Sequence, residues 1–173
     1  AGDGCANDCT IERRNVFITS VEYKGDFGGL GDADANCQSL ADKAGLSGTY
    51  MAWLSDTNSG PSARFGIDPS FAGVFQLVDG TVLANGWGDL VDGDLATTIS
   101  QNESGNAVSS SSVWTNTDAS GAPKGNVTCS SWTSASGLVK GRIGLSEQSD
   151  SFWTDFDDTQ CSGTARLYCF QVQ

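Results

Sequence analysis

Six cysteines in a 173-residue chain that contains no histidine set the terms for everything else. They are Cys5, Cys9, Cys37, Cys129, Cys161 and Cys169, an even set with no CxxC pair. A structural zinc site needs paired thiolates or imidazoles at ligand spacing, and neither is present. What remains is disulfides in an oxidising compartment, in a chain rich in Gly, Ser, Thr, Asn and Asp. Cys5–Cys9 is the natural local loop, while the pairing of the other four cannot be chosen from spacing alone. The missing histidine also removes Ser-His-Asp and Cys-His catalysis and the usual proton switch near neutral pH.

Composition narrows the partners. Hydrophobic residues are 38% of the chain and include five Trp and eight Phe, enough for one well-filled core. Acidic residues outnumber basic ones by 21 to 9, for a net charge of -12. With no basic patch to release counterions, nucleic acid, heparin-like polyanions and anionic membranes are poor partners. No apolar run approaches the ~18 residues of a membrane span. No signal peptide is visible, so an exported protein would be represented here by its mature form.

The pattern along the chain reads as α+β with one main helix, short strands and long loops. Val16–Thr19 is a β-branched, apolar first strand. A helix is expected over 32–44, with Asp32 as N-cap, Ala33, Cys37, Leu40, Ala41 and Ala44 at helical spacing, and Gly45 beyond its end. Tyr50–Ser55 reads as a buried strand. Asp79-Gly80 between Phe75–Val78 and Thr81–Leu83 signals a hairpin. Asn85–Val91 reads as a turn plus one helical turn. Residues 92–112 lack hydrophobic periodicity and read as a long loop, a frequent binding surface. Val113–Thr115, Cys129–Thr133, Phe152–Thr154 and Ala165–Phe170 read as further strands.

Two resemblances enter here. Residues 1–12, AGDGCANDCTIE, resemble the tail of a cysteine-rich repeat of bacterial surface proteins, and residues 1–14 are taken as an N-terminal arm. Over residues 15–173, the stretch ADANCQSLADKAGLSGTYMAWLSD (Ala33–Asp56) resembles endostatin, and more closely the endostatin-like domain of bacterial surface proteins. Val78–Leu83 with Trp87, Ser112-Val113-Trp114, Cys129-Ser130-Ser131-Trp132, Cys161 and Leu167-Tyr168-Cys169 follow in matching order. The resemblance implies a C-type-lectin-like fold with disulfides Cys37–Cys169 and Cys129–Cys161. Heparin binding and a His-rich zinc site do not carry over, because there is no histidine and Arg13, Arg14, Arg64, Arg142 and Arg166 are scattered. None of the three prolines stands in the Glu-Pro-Asn or Gln-Pro-Asp motif of calcium-dependent sugar-binding lectins.

Acidic and aromatic clusters supply the candidate sites. Asp89, Asp92 and Asp94 in GDLVDGDL, and Asp155, Asp157 and Asp158 in WTDFDD, are candidate oxygen ligands for Ca²⁺. Asn102, Glu103, Asn116 and Asp118 could join them if the long loop folds back. Trp87 and Trp153, beside acidic turns, are candidate sugar-stacking surfaces, with Asn116 and Asp118 as polar neighbours. Trp53, Trp114 and Trp132 sit in strand-like runs and read as core. Carboxylate pairs drawn from Glu22, Glu103, Glu147 and the Asp clusters come with no glycosidase motif, so no enzyme is expected. Asn102-Glu103-Ser104 and Asn126-Val127-Thr128 are short sequon matches in a Ser/Thr-rich chain.

The expected function is extracellular, non-catalytic recognition or adhesion by a secreted or cell-surface module. A glycan or protein would bind at the loop surface of residues 85–118 and 150–160. The alternative is self-association as a subunit of an extracellular filament or surface layer.

Overall fold

The structure is a computed structural model that describes residues 10–173. The expected Cys5–Cys9 pairing and most of the repeat-like segment lie outside the described residues. The first strand takes in Arg13 and Arg14, which the sequence assigns to the arm.

In chain order the elements are β1 (Arg13–Ile18), α1 (Leu30–Lys43), β2 (Tyr50–Ala52), α2 (Pro61–Arg64), β3 (Val74–Leu77), β4 (Val82–Asn85), α3 (Trp87–Leu90), β5 (Ser112–Trp114), α4 (Cys129–Trp132), β6 (Lys140–Leu145), β7 (Asp157–Gln160) and β8 (Tyr168–Gln171). A short 3-10 turn, Ser151–Trp153, precedes β7. A five-stranded sheet has the order β2-β8-β1-β3-β4, and a three-stranded sheet the order β5-β6-β7. Within the large sheet only β1 and β3 run parallel. No helix among the described residues is long and apolar enough to cross a membrane.

The large sheet is buried on both faces, which is why its strands read as continuous apolar runs. Alternation divides β1, β2 and β8 between two cores. Val16 and Ile18 of β1 and Tyr168 and Phe170 of β8 face a core with Trp53, Phe65, Phe75 and Leu83. Phe17 and Cys169 face the opposite core, where Ala33, Cys37, Leu40 and Ala41 of α1 pack. The Cys37–Cys169 disulfide ties α1 to β8. Asp34 and Gln38 of α1 also accept the edge N–H groups of Ala52 and Tyr50, which covers the free side of β2.

The helix begins at Leu30, with Gly29 and not Asp32 as its N-cap, because the N–H groups of Gly28 and Gly29 are already bound to the Trp132 carbonyl. Its end is as the sequence predicts. Gly45 has φ +74°, its N–H donates to the Asp42 carbonyl, and the Leu46 N–H donates to Ala41, a Schellman close. The Asp79-Gly80 hairpin forms, with Gly80 at φ +89°. Two expected strands are turns: Phe152–Thr154 lies largely in the 3-10 turn, and Cys129–Thr133 is a helical turn. The long loop carries no helix or strand between α3 and β5, but it is pinned. Leu95 and Ile99 are buried in the core, Gln101 bonds Asp79, and Glu103 accepts from Ser20.

Tyr168 carries a cost inside this core. Its hydroxyl is buried with no hydrogen-bond partner among the described residues. Burial, then the negative charge of Glu147, hold its ionisation well above the ordinary tyrosine range. Because the folded value is raised, its stabilising contribution is complete below the unfolded value of about 10 and is lost as pH rises through the folded one. Tyr168→Phe removes both the ionisation and the unpaired hydroxyl. Thermal melts should show a variant that is neutral or up to about 1–3 kcal/mol more stable at pH 7. Its melting temperature should also fall less steeply than that of the parent above about pH 10.

Candidate functional site

The small sheet carries the chemistry. Residues two apart on a strand share a face, and so do register partners. Lys140 pairs with Gln160, and Arg142 with Asp158, so these four side chains share one face of β6 and β7. On the other face Gly141 lies against the Cys129–Cys161 disulfide, where a Cβ would fall 2.6 Å from Cys129 Sγ.

Arg142 organises the face. Its Nε donates to Asp155 Oδ1 at 2.5 Å and its Nη1 to Asp158 Oδ1 at 2.8 Å. Lys124 Nζ closes on the other oxygen of Asp155 at 2.7 Å. Burial works against the guanidinium charge, but the hydrogen bonds and negative charges of Asp158 and Asp155 outweigh it and hold its pKa above the ordinary arginine value. The result is a ladder of alternating sign, Lys124, Asp155, Arg142 and Asp158, whose charges compensate within it.

Beside the ladder lies a groove of about 350 Å³, open to solvent and lined by Asn126, Val127, Ser130, Val139, Lys140 and Asp158. Val127 and Val139 form its apolar part. Its wall at Ser130 belongs to α4, a single turn in which Cys129, Ser130, Ser131 and Trp132 all have positive φ, between 48° and 63°. Left-handed turns of non-glycine residues cost roughly 1–2 kcal/mol per residue. The surroundings hold this one in place. Thr128 Oγ1 accepts the Ser131 N–H, Trp132 Nε1 donates to the buried Ser55 carbonyl at 2.9 Å, and the Trp132 ring stacks on Phe27. The disulfide fixes the turn's first residue to Cys161.

The sequence-predicted residues land elsewhere or play other parts. Trp87 and Trp153 are not surface platforms. They are 7% and 0% exposed and pack against Trp53, with ring centroids 6.3 and 4.9 Å away. Asn116 is fully buried and left-handed, and its amide donates to the carbonyls of Gly125 and Asp56. Asp118 accepts from Ser120 and the Ala122 N–H. Both therefore shape the loop that presents Lys124 and Asn126. The acidic clusters do not converge: among the described residues no three His, Cys, Asp or Glu side chains form a group that could hold a metal ion. Asp155 and Asp158 serve Arg142, Asp89 accepts the Asn85 N–H, Asp92 accepts the Asp94 N–H, and Asp157 accepts the Asp158 N–H. Asn102 caps its own loop through the N–H groups of Ser104 and Asn106.

Of the expected loop surface, the groove takes Asp158 alone. Asn126, Ser130 and Lys140 lie far apart in sequence and are ordinary surface residues by type. Sequence reasoning had no signal for them beyond a sequon that picks out Asn126 for a different reason. Compared with known proteins, the chain matches no family model and no curated protein.

The support of the groove can be tested through its glycines. A Cβ at Gly25 would fall 2.4 Å from Cys129 Sγ and 2.9 Å from the Ser134 carbonyl oxygen, and one at Gly141 would meet Cys129 and Trp114. Gly25→Ala and Gly141→Ala should each lose about 1–3 kcal/mol in urea unfolding. Gly125→Ala, whose methyl meets nothing within 4 Å, should stay within about 0.5 kcal/mol of the parent.

Proposed function

We propose that this chain is a non-catalytic recognition module of the secreted or cell-surface kind, with an endostatin-like, C-type-lectin-like fold, and that it binds a glycan at the groove beside β6 and β7. The fold reading draws on the α+β architecture and on two disulfides that pair as the resemblance implies, Cys37 on the helix with Cys169 on the last strand, and Cys129 with Cys161. The same two disulfides support an oxidising, extracellular setting.

One observation carries the ligand reading. Four polar groups meet at the groove without a partner of their own among the described residues: the Asn126 amide, the Ser130 hydroxyl, the Lys140 ammonium and the second oxygen of Asp158. Elsewhere the polar side chains of the loops are largely spent on their own turns, as Asp56, Asp68, Asp79, Asn102 and Asp118 are. Donors and acceptors left free on a rigid frame, around an apolar strip, suit a polyhydroxylated ligand whose ring carries both hydroxyls and C–H faces.

A different feature supports self-association as a second reading. Phe152 and Phe156 are 47% and 42% exposed and pack edge to face, with centroids 5.6 Å apart, while Leu138 is 97% exposed. Apolar side chains in water on an otherwise polar surface are what a contact between copies would cover.

A glycan-array screen of the domain, in millimolar Ca²⁺ and again in EDTA, separates these readings. The expected outcome is glycan binding that survives EDTA, since the groove works through Lys140 and Asp158 and not through a metal. Silence in both conditions, with a sedimentation coefficient that climbs with concentration and is lowered by Phe152→Ser, would replace glycan recognition with self-assembly.

A further inference from the structure

Resting on that recognition reading, we infer that the groove selects a sugar bearing a single carboxylate per ring, a uronate unit, with Lys140 as the residue that fixes the carboxylate.

The inference starts from charge counted locally. The chain carries -12 overall, yet the face beside the groove holds three cations, Lys124, Lys140 and Arg142, against the carboxylates of Asp155 and Asp158. Lys124 and Arg142 are engaged by those carboxylates. Lys140 is not, because strand register sets it opposite Gln160 and not opposite an acid. Asp158, the acid nearest in register, is turned to Arg142 at 2.8 Å. The ladder thus offsets the charge of Asp158, the one acid lining the groove, and leaves the ammonium uncompensated among the described residues. An exposed ammonium is a compact point charge with three donors, suited to a carboxylate oxygen.

The neighbouring groups define the rest of the ligand. The Asn126 amide and Ser130 hydroxyl add further donors on the same groove. Asp158 still has an oxygen free to accept, which calls for a ligand hydroxyl. Val127 and Val139 offer an apolar strip for ring C–H groups. A ligand with an anionic oxygen pair, hydroxyls and an apolar ring edge meets all of these at once, and a uronate ring is such a ligand. A volume of about 350 Å³ is at the small end for a ligand site and suits a short saccharide. Sulfated or phosphorylated polyanions fit less well. Each extra negative charge meets the field of a -12 protein and the Asp158 carboxylate, with one free ammonium to offset them.

The test uses methyl galacturonoside, a single ring with one carboxylate, and its methyl ester, which keeps the ring hydroxyls and loses the charge, titrated into the ¹⁵N-labelled protein and followed by amide chemical shifts. The uronoside should bind about tenfold more tightly than the ester, the size of one charge-assisted hydrogen bond. Its shifts should centre on residues 126–130, 139–141 and 158. Lys140→Met should erase that preference with an unchanged melting temperature, Lys140→Arg should keep most of it, and Lys43→Met, on the exposed side of α1, should not alter it. Inorganic sulfate at the same ionic strength should leave these resonances in place. Equal binding of acid and ester, or a preference that survives Lys140→Met, overturns the uronate assignment and leaves glycan recognition standing. Binding of neither probe to a protein that is positive in the glycan screen also overturns it, and a negative screen removes the reading on which it rests.

Discussion

A chain of buried hydroxyls joins the two sheets, and the position of the groove depends on it. Trp53 Nε1 donates to Thr154 Oγ1 at 2.7 Å, and that hydroxyl donates to the Thr117 carbonyl. Thr115 Oγ1 donates to the Thr154 carbonyl, Ser55 and Thr117 share a hydroxyl pair, and the Ser55 carbonyl takes the Trp132 indole N–H. These groups are buried, so each lost partner would leave a polar atom dry, at a cost of about 1–3 kcal/mol. The network therefore sets one arrangement of the small sheet on the large one. The left-handed turn at Cys129–Trp132 is held at one end of it, and the wall of the groove comes from that turn.

The parts of this fold that were legible are those where one physical signal acts alone. Helix α1 follows from apolar spacing and a terminal glycine, and the β3–β4 hairpin from Asp79-Gly80. The large sheet follows from apolar runs that are buried on both sides. Strand β6 was hidden because Gly141 and Gly144 stand where side chains would otherwise show alternation. A Cβ at Gly144 would meet the Trp153 carbonyl. Strand β7, Asp-Asp-Thr-Gln, is a polar edge with no apolar face to read. The turn at Cys129–Trp132 has no propensity signal, since Ser, Cys and Trp gain nothing intrinsic from positive φ. It exists because tertiary contacts outweigh its local cost.

The same distinction explains the site. Trp87 and Trp153 stand beside acidic turns in sequence, but burying an indole outweighs its adjacency to charge, and both join the ring cluster around Trp53. The acidic run Asp155–Asp158 looked like a cation site because its counterions, Arg142 and Lys124, come from distant segments. Once the sheet forms, two carboxylates are compensated from within the chain. What is left over at the groove, among the described residues, is the reverse of the sequence's overall sign, the Lys140 ammonium on an acidic protein. No compositional reading finds that, because it arises from which charges the fold has already paired.

An inner strand of the large sheet is also the last of its strands in sequence order. β8 lies between β1 and β2, and its Cys169 closes the disulfide to α1. The chain is made from its N-terminus, so β1 and β2 exist before the strand that fills the slot between them. Neither can complete its hydrogen bonding until residues 168–171 arrive. The contacts that define the sheet span most of the chain, which makes folding a slow, late and nearly all-at-once event. The same step brings Cys169 to Cys37, so the disulfide seals the strand that closes the sheet.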